Sequence, residues 1–354
     1  MKQPRPILLL AALLVAACVA CAACASKYAL RTSRSEVVLQ WPFSPLRAKL
    51  TYVESWTGLA RTRGAGARLG AFLSGKDRTD PDAFVLPVAV AVGDDGRVAV
   101  ADLGRRCVHL YVPAQARYDR LIGPAQAKLA SPVAVAFDDA LRLYVSDSTG
   151  RVLCFDAQGA FVRAITSAGA EPLRRPTGLA YSPAKKLLYV VDTLAHVVHA
   201  FDSEGVARLS FGKRGEQEGA FNFPTQIFRS AAGELYVTDA LNFRIGIFGE
   251  DGTPRGVFGR HGDGSGDLAM PKGVAVDGDG VVYVVDSLFD NVQLFDRGGT
   301  FLLTLGRRGN EAGEFWLPAG AFVGPDHVLY VCDTYNRRIQ RFRITEGYSD
   351  GSPS

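Results

Sequence analysis

The sequence predicts an all-β fold of six antiparallel blades with four strands each, and three observations support this. A short apolar run ends in aspartate six times, at intervals of 45 to 47 residues: Asp102, Asp147, Asp192, Asp239, Asp286 and Asp333. A proline opens an apolar run 15 or 16 residues before each aspartate: Pro87, Pro132, Pro176, Pro224, Pro271 and Pro318. Glycine is abundant, with 38 residues. A period of about 40 to 50 residues with four strands is typical of a β-propeller blade.

The fifth copy shows the four strands within one unit. They are predicted at 273–277, 281–286, 291–296 and 300–306, where β-branched residues are frequent. Between them, "DGDG" and "DRGG" supply residues that adopt the positive φ angles of tight hairpins. One such unit cannot cover both faces of its sheet, so six must stack around an axis.

The two ends of the chain are predicted to close the ring together. After "RIQRFRI" only a polar tail follows, at 345–354, so the sixth unit lacks its outer strand. An unpaired edge is a liability, and residues 48–56, "AKLTYVESW", have a suitable alternating pattern. We therefore expect an N-terminal segment, 37–83, to contribute the closing strand and a connector, and the propeller itself to span 84–344.

Three connections between the units indicate a family. "FGKRGEQEGAFNFPTQIF", "FGRHGDGSGDLAMPKG" and "LGRRGNEAGEFWLPAG" resemble NHL repeats, and the resemblance covers about residues 84–344. "VVLQWPFSP" resembles the N-terminal segment of bacterial lipoproteins that carry such repeats. Copies two and three depart from the pattern, with "LIGPAQAKLASP" and "ITSAGAEPLRRP", so their loops should be shorter.

The first residues have the features of a secretory signal. Lys2 and Arg5 precede an apolar run without charge, and "LVAAC" resembles the lipobox of bacterial lipoproteins. We expect a signal peptide at 1–17, lipid attachment at Cys18 and a tether at 18–36. Cys21 and Cys24 are weaker alternatives for lipidation, and an uncleaved membrane helix is the other interpretation of the run.

These signals predict an extracytoplasmic protein of the bacterial cell envelope, lipid-anchored in the outer membrane and facing the periplasm. A net charge of +4 on 354 residues gives no reason to expect nucleic acid as a partner. The remaining cysteines, Cys107, Cys154 and Cys332, are odd in number and fit no metal motif, so we expect them to be buried apolar residues.

The repeated aspartates are interpreted as structural, because a catalytic residue is needed only once. At a strand end, aspartate can accept hydrogen bonds from the turn that follows, and Arg244 and Arg338 are expected to pair with Asp239 and Asp333. The first residues after the blade prolines, near the axis, include no carboxylate or imidazole, and Lys272 would repel a cation. No metal or other cofactor is therefore predicted.

One face of the ring is the candidate binding face. It should carry both the connections between units and the turns that follow the repeated aspartates. Its candidate residues are Arg105, Arg106, Lys213, Arg214, Asn242, Arg260, Arg307, Arg308, Asn336 and Arg337. Acidic residues lie among them, so a solvated rim and a surface for a partner or an anionic ligand are both open interpretations.

Together these features predict a binding or scaffolding module that uses its loop face to hold a protein, a glycan or an anionic ligand of the cell envelope. The alternative is an enzyme like the propeller lactonases or amidating lyases, with an active site on the axis.

Overall fold

The computed structural model describes residues 27–43, 48–62, 82–345 and 347, and these form a propeller. Within this part of the chain, helix is limited to three 3₁₀ turns: Pro113–Gln115, Ala125–Ala127 and Ala240–Asn242. The strands form six antiparallel blades in chain order, so the chain is an all-β, six-bladed β-propeller and the predicted fold class is confirmed.

Blades 1 to 5 each use four consecutive strands. Blade 1 contains Pro87–Val92, Val98–Asp102, Cys107–Val112 and Arg117–Leu121. Blade 2 contains Pro132–Phe137, Leu143–Asp147, Arg151–Phe155 and Phe161–Ile165. Blade 3 contains Pro176–Ser182, Leu187–Asp192, Val197–Phe201 and Ala207–Phe211. Blade 4 contains Pro224–Arg229, Glu234–Asp239, Arg244–Gly249 and Pro254–Phe258. Blade 5 contains Pro271–Val276, Val282–Asp286, Asn291–Phe295 and Phe301–Leu305. A small hairpin, Ser167–Ala168 with Glu171–Pro172, follows blade 2.

Blade 6 combines the two ends of the described chain. Its first three strands are Ala321–Val323, Val328–Asp333 and Arg338–Ile344, and the fourth is Leu50–Arg61. The closing strand predicted at 48–56 is thus present, pairing antiparallel with Arg338–Ile344, and it is longer than expected. Its outer edge pairs with Tyr28–Ser33 and, at its start, with Gln40–Trp41. Residues 28–33 were expected in the tether, but the otherwise open edge of the closing strand takes them into the sheet.

A buried lysine ties this closure to the neighbouring blade. The Lys49 side chain is 1% exposed, and its Nζ lies 2.7 Å from an Asp277 carboxylate oxygen and 3.1 Å from one of Asp279. Both aspartates lie in the first hairpin of blade 5. The amide of Thr345 donates to the Lys49 carbonyl at 2.9 Å. Because a buried charge is costly without its partner, Lys49 fixes the N-terminal strand, the C-terminal strand and blade 5 to one another.

The alternation of strand direction gives the ring two distinct faces. The connections between blades and the turns between second and third strands lie at the end where the first strands begin, and we call this end the loop face. The hairpins between first and second strands, and between third and fourth strands, lie at the other end, the hairpin face. The core lies between the blades, where the tyrosine three residues before the repeated aspartate is buried in blades 2 to 6.

Candidate functional site

The repeated aspartates hold the loop face together. Their carboxylates are at most 1% exposed. At Asp102 the donors are the amides of Val85 and Leu86, at 2.8 and 3.0 Å, just before the first strand of the same blade. Two such amides bond to the carboxylate in four blades, and one does so in the other two. Amides of the following turn also donate, as the sequence predicts.

Arginine and glutamine side chains extend these anchors into the connections between blades. Arg244 lies 2.8 Å from Asp239 and also donates to the backbone carbonyls of Glu216, Gln217 and Ala220. In blade 6, Arg338 likewise pairs with Asp333, and it donates to the backbone carbonyls of Glu311 and Glu314 in the connection between blades 5 and 6. The two expected arginine–aspartate pairs are therefore present, and they fix the loops as well as the turns.

Gln293 and Gln340 anchor further connections through both ends of their buried amides. Gln293 accepts from the Gly266 amide at 3.0 Å and donates to the Asp267 carbonyl at 2.6 Å. Gln340 has the equivalent bonds in the next connection. Each of the three glycine-spaced connections also contains an isolated β-bridge of its own. Those after blades 1 and 2 are shorter, as predicted from their sequences.

The structure gives the candidate binding residues different environments. The amides of Asn242 and Asn336 point into the fold, donating to the Gly215 and Gly309 carbonyls and to Asp239 and Asp333. Arg105 donates to the Ala83 carbonyl at 2.6 Å. These three side chains support the loops.

Seven of the candidate residues do reach solvent on the loop face. Arg260 and Arg307 form ion pairs within their own loops, with Asp267 at 2.6 Å and Glu314 at 3.0 Å. The hydrogen bond from Arg260 holds the pKa of Asp267 below its ordinary value. The other exposed candidates are Arg106, Lys213, Arg214, Arg308 and Arg337.

An exposed apolar arc, which sequence reasoning missed, crosses the same face. In four consecutive blades the second residue after the repeated aspartate is large and apolar. These are Leu194, Leu241, Leu288 and Tyr335, exposed by 43, 52, 60 and 50%. Trp316 is 43% exposed, and its ring centroid lies 5.6 Å from that of Tyr335. Blades 1 and 2 have Gly104 and Thr149 at this position. We call these four residues with Trp316 the apolar arc; the constant offset from the repeated aspartate was the signal available in the sequence.

Two of the residues that directly follow the blade prolines, at the loop-face end of the axis, are threonines whose hydroxyls form hydrogen bonds. The Thr177 hydroxyl lies 2.8 Å from that of Thr193, and the Thr225 hydroxyl donates to the Lys272 carbonyl at 3.4 Å. Desolvation lowers the pKa of Lys272. Over residues 27–43, 48–62, 82–345 and 347, no group of three or more His, Cys, Asp or Glu side chains is placed to hold a metal ion.

A buried cluster in blade 1 resembles a catalytic arrangement only in composition. His109 lies 3.4 Å from Asp102, 2.8 Å from the Tyr118 hydroxyl and 3.7 Å from the Cys107 sulfur. His109 follows its aspartate by seven residues, as Gln293 does, so it occupies an anchoring position. Burial raises the pKa of Cys107 to about 12, which keeps the thiol protonated at neutral pH. Cys107, Cys154 and Cys332 are all buried and unpaired by disulfides.

The predicted signal peptide at 1–17 and the proposed lipid site at Cys18 lie outside the described residues. In the part that is described, no helix has the length and apolar character that a membrane span requires.

Comparison with known proteins identifies the fold. No protein-family model matches the chain, and no curated protein sequence does either. Among solved structures, a streptogramin B lyase aligns over 76% of this chain and 96% of its own, with 11% identity and a TM-score of 0.57. An auxiliary nutrient-binding protein from Bacteroides thetaiotaomicron aligns over 74% and 70%, with 12% identity and a TM-score of 0.57. A gluconolactonase from Xanthomonas campestris aligns over 74% and 87%, with 16% identity and a TM-score of 0.56.

At these identities the likeness concerns the fold alone. The chain shares its propeller architecture with a lyase, a lactonase and a binding protein, so the function must be argued from its own residues.

Proposed function

We propose that this chain is an NHL-type propeller lipoprotein of the bacterial cell envelope that binds a second protein through the loop face of blades 3 to 6. The observation that carries the proposal is the apolar arc, in which four blades in succession expose a large apolar side chain at the same repeat position. Large exposed apolar side chains gathered on one face are typical of protein interaction sites, and the rings of Trp316 and Tyr335 are in contact here.

The surroundings of the apolar arc fit the anatomy of a protein interface. Charged side chains of both signs are exposed on the connections between these blades: Lys213, Arg214, Glu216, Glu218, Asp263, Arg308 and Glu311. An apolar centre with a mixed polar rim is typical of specific interfaces, and aromatic residues such as Trp316 and Tyr335 often contribute most of the binding energy. This distribution favours a protein partner over a small anion.

The anchors beneath the apolar arc hold it in place before binding. Arg244, Arg338, Gln293 and Gln340 fix the connections between blades 3 and 6 by hydrogen bonds to their backbone. A preorganised surface loses less conformational entropy on association than a mobile one. The repeated polar residues therefore serve binding indirectly, by making the displayed loops rigid.

A lipid at Cys18 would leave this face accessible. The described chain starts beside the outer turn of blade 1 on the hairpin face, where the Tyr28 amide donates to the Ala116 carbonyl at 2.8 Å. Eight residues, 19–26, separate Cys18 from Lys27, and they can span at most about 30 Å. Such a short tether holds the hairpin face near the membrane and directs the loop face away from it.

Paired substitutions on the two kinds of exposed apolar site test the proposal. Leu241→Asp with Leu288→Asp alters the apolar arc, whereas Val162→Asp with Val257→Asp alters outer strands that are exposed by 41 and 44%. On native gels of solubilised envelopes, we expect wild type and the outer-strand variant to migrate in a complex larger than the monomer, and the arc variant to migrate alone. Equal migration of all three proteins would overturn the proposal. Purified wild-type protein is expected to be monomeric in light scattering; self-association lost in the arc variant would replace the second protein by another copy of this chain.

A further inference from the structure

A cavity on the axis opens toward the hairpin face, at the end of the propeller opposite the apolar arc. Its volume is about 300 Å³. It is lined by the first strands of blades 1, 2, 3, 4 and 6 and, in blades 1, 2 and 3, by the hairpins that follow them. It begins at Ala89, Gln226 and Gly320, the second residues after their blade prolines, and extends from there toward the hairpin face. Nothing in the proposed function uses it.

The cavity has aromatic walls, contributed by four blades. Phe137, Tyr181, Phe228 and Phe322 line it and are each partly exposed. Phe228 and Phe322 belong to blades 4 and 6 and meet edge to face, with ring centroids 6.1 Å apart. Blade 5 lies between them and has the small residues Ala275 and Val276, both buried, at the corresponding end of its first strand. These small side chains leave room for the contact between the two rings.

These aromatic residues occupy positions where the blades differ from one another. The residue that pairs with the one four before the repeated aspartate is Phe137 in blade 2 and Tyr181 in blade 3, but Val276 in blade 5. The residue before this position is Phe228 in blade 4 and Phe322 in blade 6, but Ala275 in blade 5. A packing role common to all blades would place similar side chains at every copy. The change to aromatic rings around one cavity indicates a local purpose.

The charges around the cavity are mainly negative. Three aspartates line it, in the hairpins of blades 1 and 2: Asp94, Asp138 and Asp139. Asp138 is paired with Arg142 at 2.6 Å, and Asp139 is paired with Lys186. Asp94 is exposed and forms no ion pair with any residue that the structure describes.

The one cationic side chain of this lining is already compensated. The Nε of Arg229 donates to Glu250 at 2.5 Å, and the Ser182 hydroxyl donates to the same carboxylate oxygen at 2.6 Å. Burial alone would raise the pKa of Glu250, but the hydrogen bonds from Ser182 and Arg229 lower it, so the pair stays ionised at neutral pH. With Arg229 matched by Glu250, the carboxylate of Asp94 is left without a counter-charge from the lining.

We propose that this cavity binds a small organic cation, with its ammonium group among the aromatic rings and toward Asp94. Aromatic rings attract cations through the negative potential of their faces, and the effect strengthens when the cation loses water. The apolar walls around Leu179 and Ile227 accommodate the hydrocarbon part of such a ligand. An anion would meet the unpaired carboxylate, and a neutral ligand would gain nothing from it.

Three probes of similar shape and different charge separate these possibilities in purified protein. They are choline, its neutral isostere neohexyl alcohol and the anion tert-butylacetate, with binding measured by calorimetry and ligand-observed NMR. We expect choline to bind about tenfold more tightly than neohexyl alcohol, and tert-butylacetate not to bind. Equal affinity for choline and the alcohol would reduce the site to an apolar cavity, and absence of choline binding would overturn the proposal outright.

Two variants and a matched control locate the site. Phe228→Leu keeps an apolar side chain but removes a ring, so it should weaken choline several-fold and leave neohexyl alcohol within about twofold. Asp94→Asn, at an exposed position, should weaken choline alone. Asp251→Asn removes a carboxylate from an outer hairpin of the same face and should change neither. Unchanged choline affinity in both cavity variants would contradict the assignment, and none of these results depends on the loop face or its partner.

Discussion

The loop face and the hairpin face are made by the same six repeats, yet aspartates hold them together in different ways. On the loop face, Asp239 accepts the Asn222 amide from 17 residues earlier in the chain. On the hairpin face, Asp202 accepts the amides of Glu204 and Val206, two and four residues later. The turns of the hairpins are thus closed by local hydrogen bonds, whereas on the loop face the aspartate at the end of the second strand bonds to the chain that enters the first strand of the same blade. Long, variable connections can therefore be displayed there without becoming mobile.

The same comparison separates framework from function. The aspartates are present in all six blades, so their explanation is structural. The residues two after them change from Gly104 and Thr149 to Leu194, Leu241, Leu288 and Tyr335. The positions that line the hairpin-face cavity also change from blade to blade. In a repeat protein, the positions that break the repeat are the places to look for ligands and partners.

The largest effect should come from removing a loop-face aspartate. Asp239→Ala leaves the guanidinium of Arg244 without its buried partner, which is expected to lower the free energy of unfolding by about 3–5 kcal/mol. Asp202→Ala on the hairpin face loses local hydrogen bonds worth about 1 kcal/mol. Denaturant unfolding followed by circular dichroism measures both. Similar losses would show that the two faces are not held differently.

A slightly smaller loss is expected at the closure of the ring on the hairpin face. Lys49→Met leaves Asp277 and Asp279 without their buried cation, and we expect destabilisation of about 3 kcal/mol. Lys186→Met is the matched control, because its pair with Asp139 is exposed and should contribute little. If both variants unfold at the same denaturant concentration, closure does not depend on this lysine.

The loss of stability at acid pH should depend on the repeated aspartate of blade 2, Asp147. Burial alone would raise the pKa of Asp147, but hydrogen bonds from the Ala130 amide, Thr149 and Arg151 lower it below the ordinary value. A carboxylate with a lowered pKa in the folded state contributes stability above its unfolded pKa, near 3.9, and loses it as the pH falls through the folded pKa. Asp147→Asn should therefore flatten the loss of stability below about pH 4. An unchanged acid limb in thermal melts would contradict this.

The smallest effect is expected from an exposed ion pair of the loop face. Arg307 is 83% exposed and pairs with Glu314 within one connection. Exposed pairs contribute little to stability, so Arg307→Ala should leave the melting temperature unchanged. A clear decrease would mean that charge pairs, and not the buried anchors, hold this connection.

Much of the fold follows from spacing alone. The distance from proline to aspartate defined the blades, and the missing outer strand of the last unit identified the closing strand. Residues 28–33 were missed because "YALRTS" has a weak strand pattern, and its pairing is determined by the edge of the strand 50–61. The burial of Lys49 could not be foreseen either. A lysine is normally exposed, and its partners, Asp277 and Asp279, lie more than 200 residues away.

The candidate site was predicted only in part. The loop face was identified from the direction of the strands, but charged and amide side chains were chosen for it, and three of these, Arg105, Asn242 and Asn336, turn inward to support loops. The residues of the apolar arc share a constant offset of two residues from the repeated aspartate, but their exposure depends on the packing of the turns and does not follow from that spacing. The aromatic cavity combines side chains from blades far apart in sequence, and only the closed ring brings Phe228 and Phe322 together.

A crosslinking scan around both faces in intact cells tests most directly whether the loop face of blades 3 to 6 binds a second protein. A photo-crosslinking residue is placed at the same position of every blade on the loop face: Gly104, Thr149, Leu194, Leu241, Leu288 and Tyr335. Equivalent probes are placed in the outer hairpins of the hairpin face, at Gln158, Ser203 and Asp251. We expect one protein to be crosslinked from blades 3 to 6 of the loop face, and none from blades 1 and 2 or from the hairpin face. Crosslinks of equal strength around the whole ring, or from the hairpin face alone, would contradict this expectation.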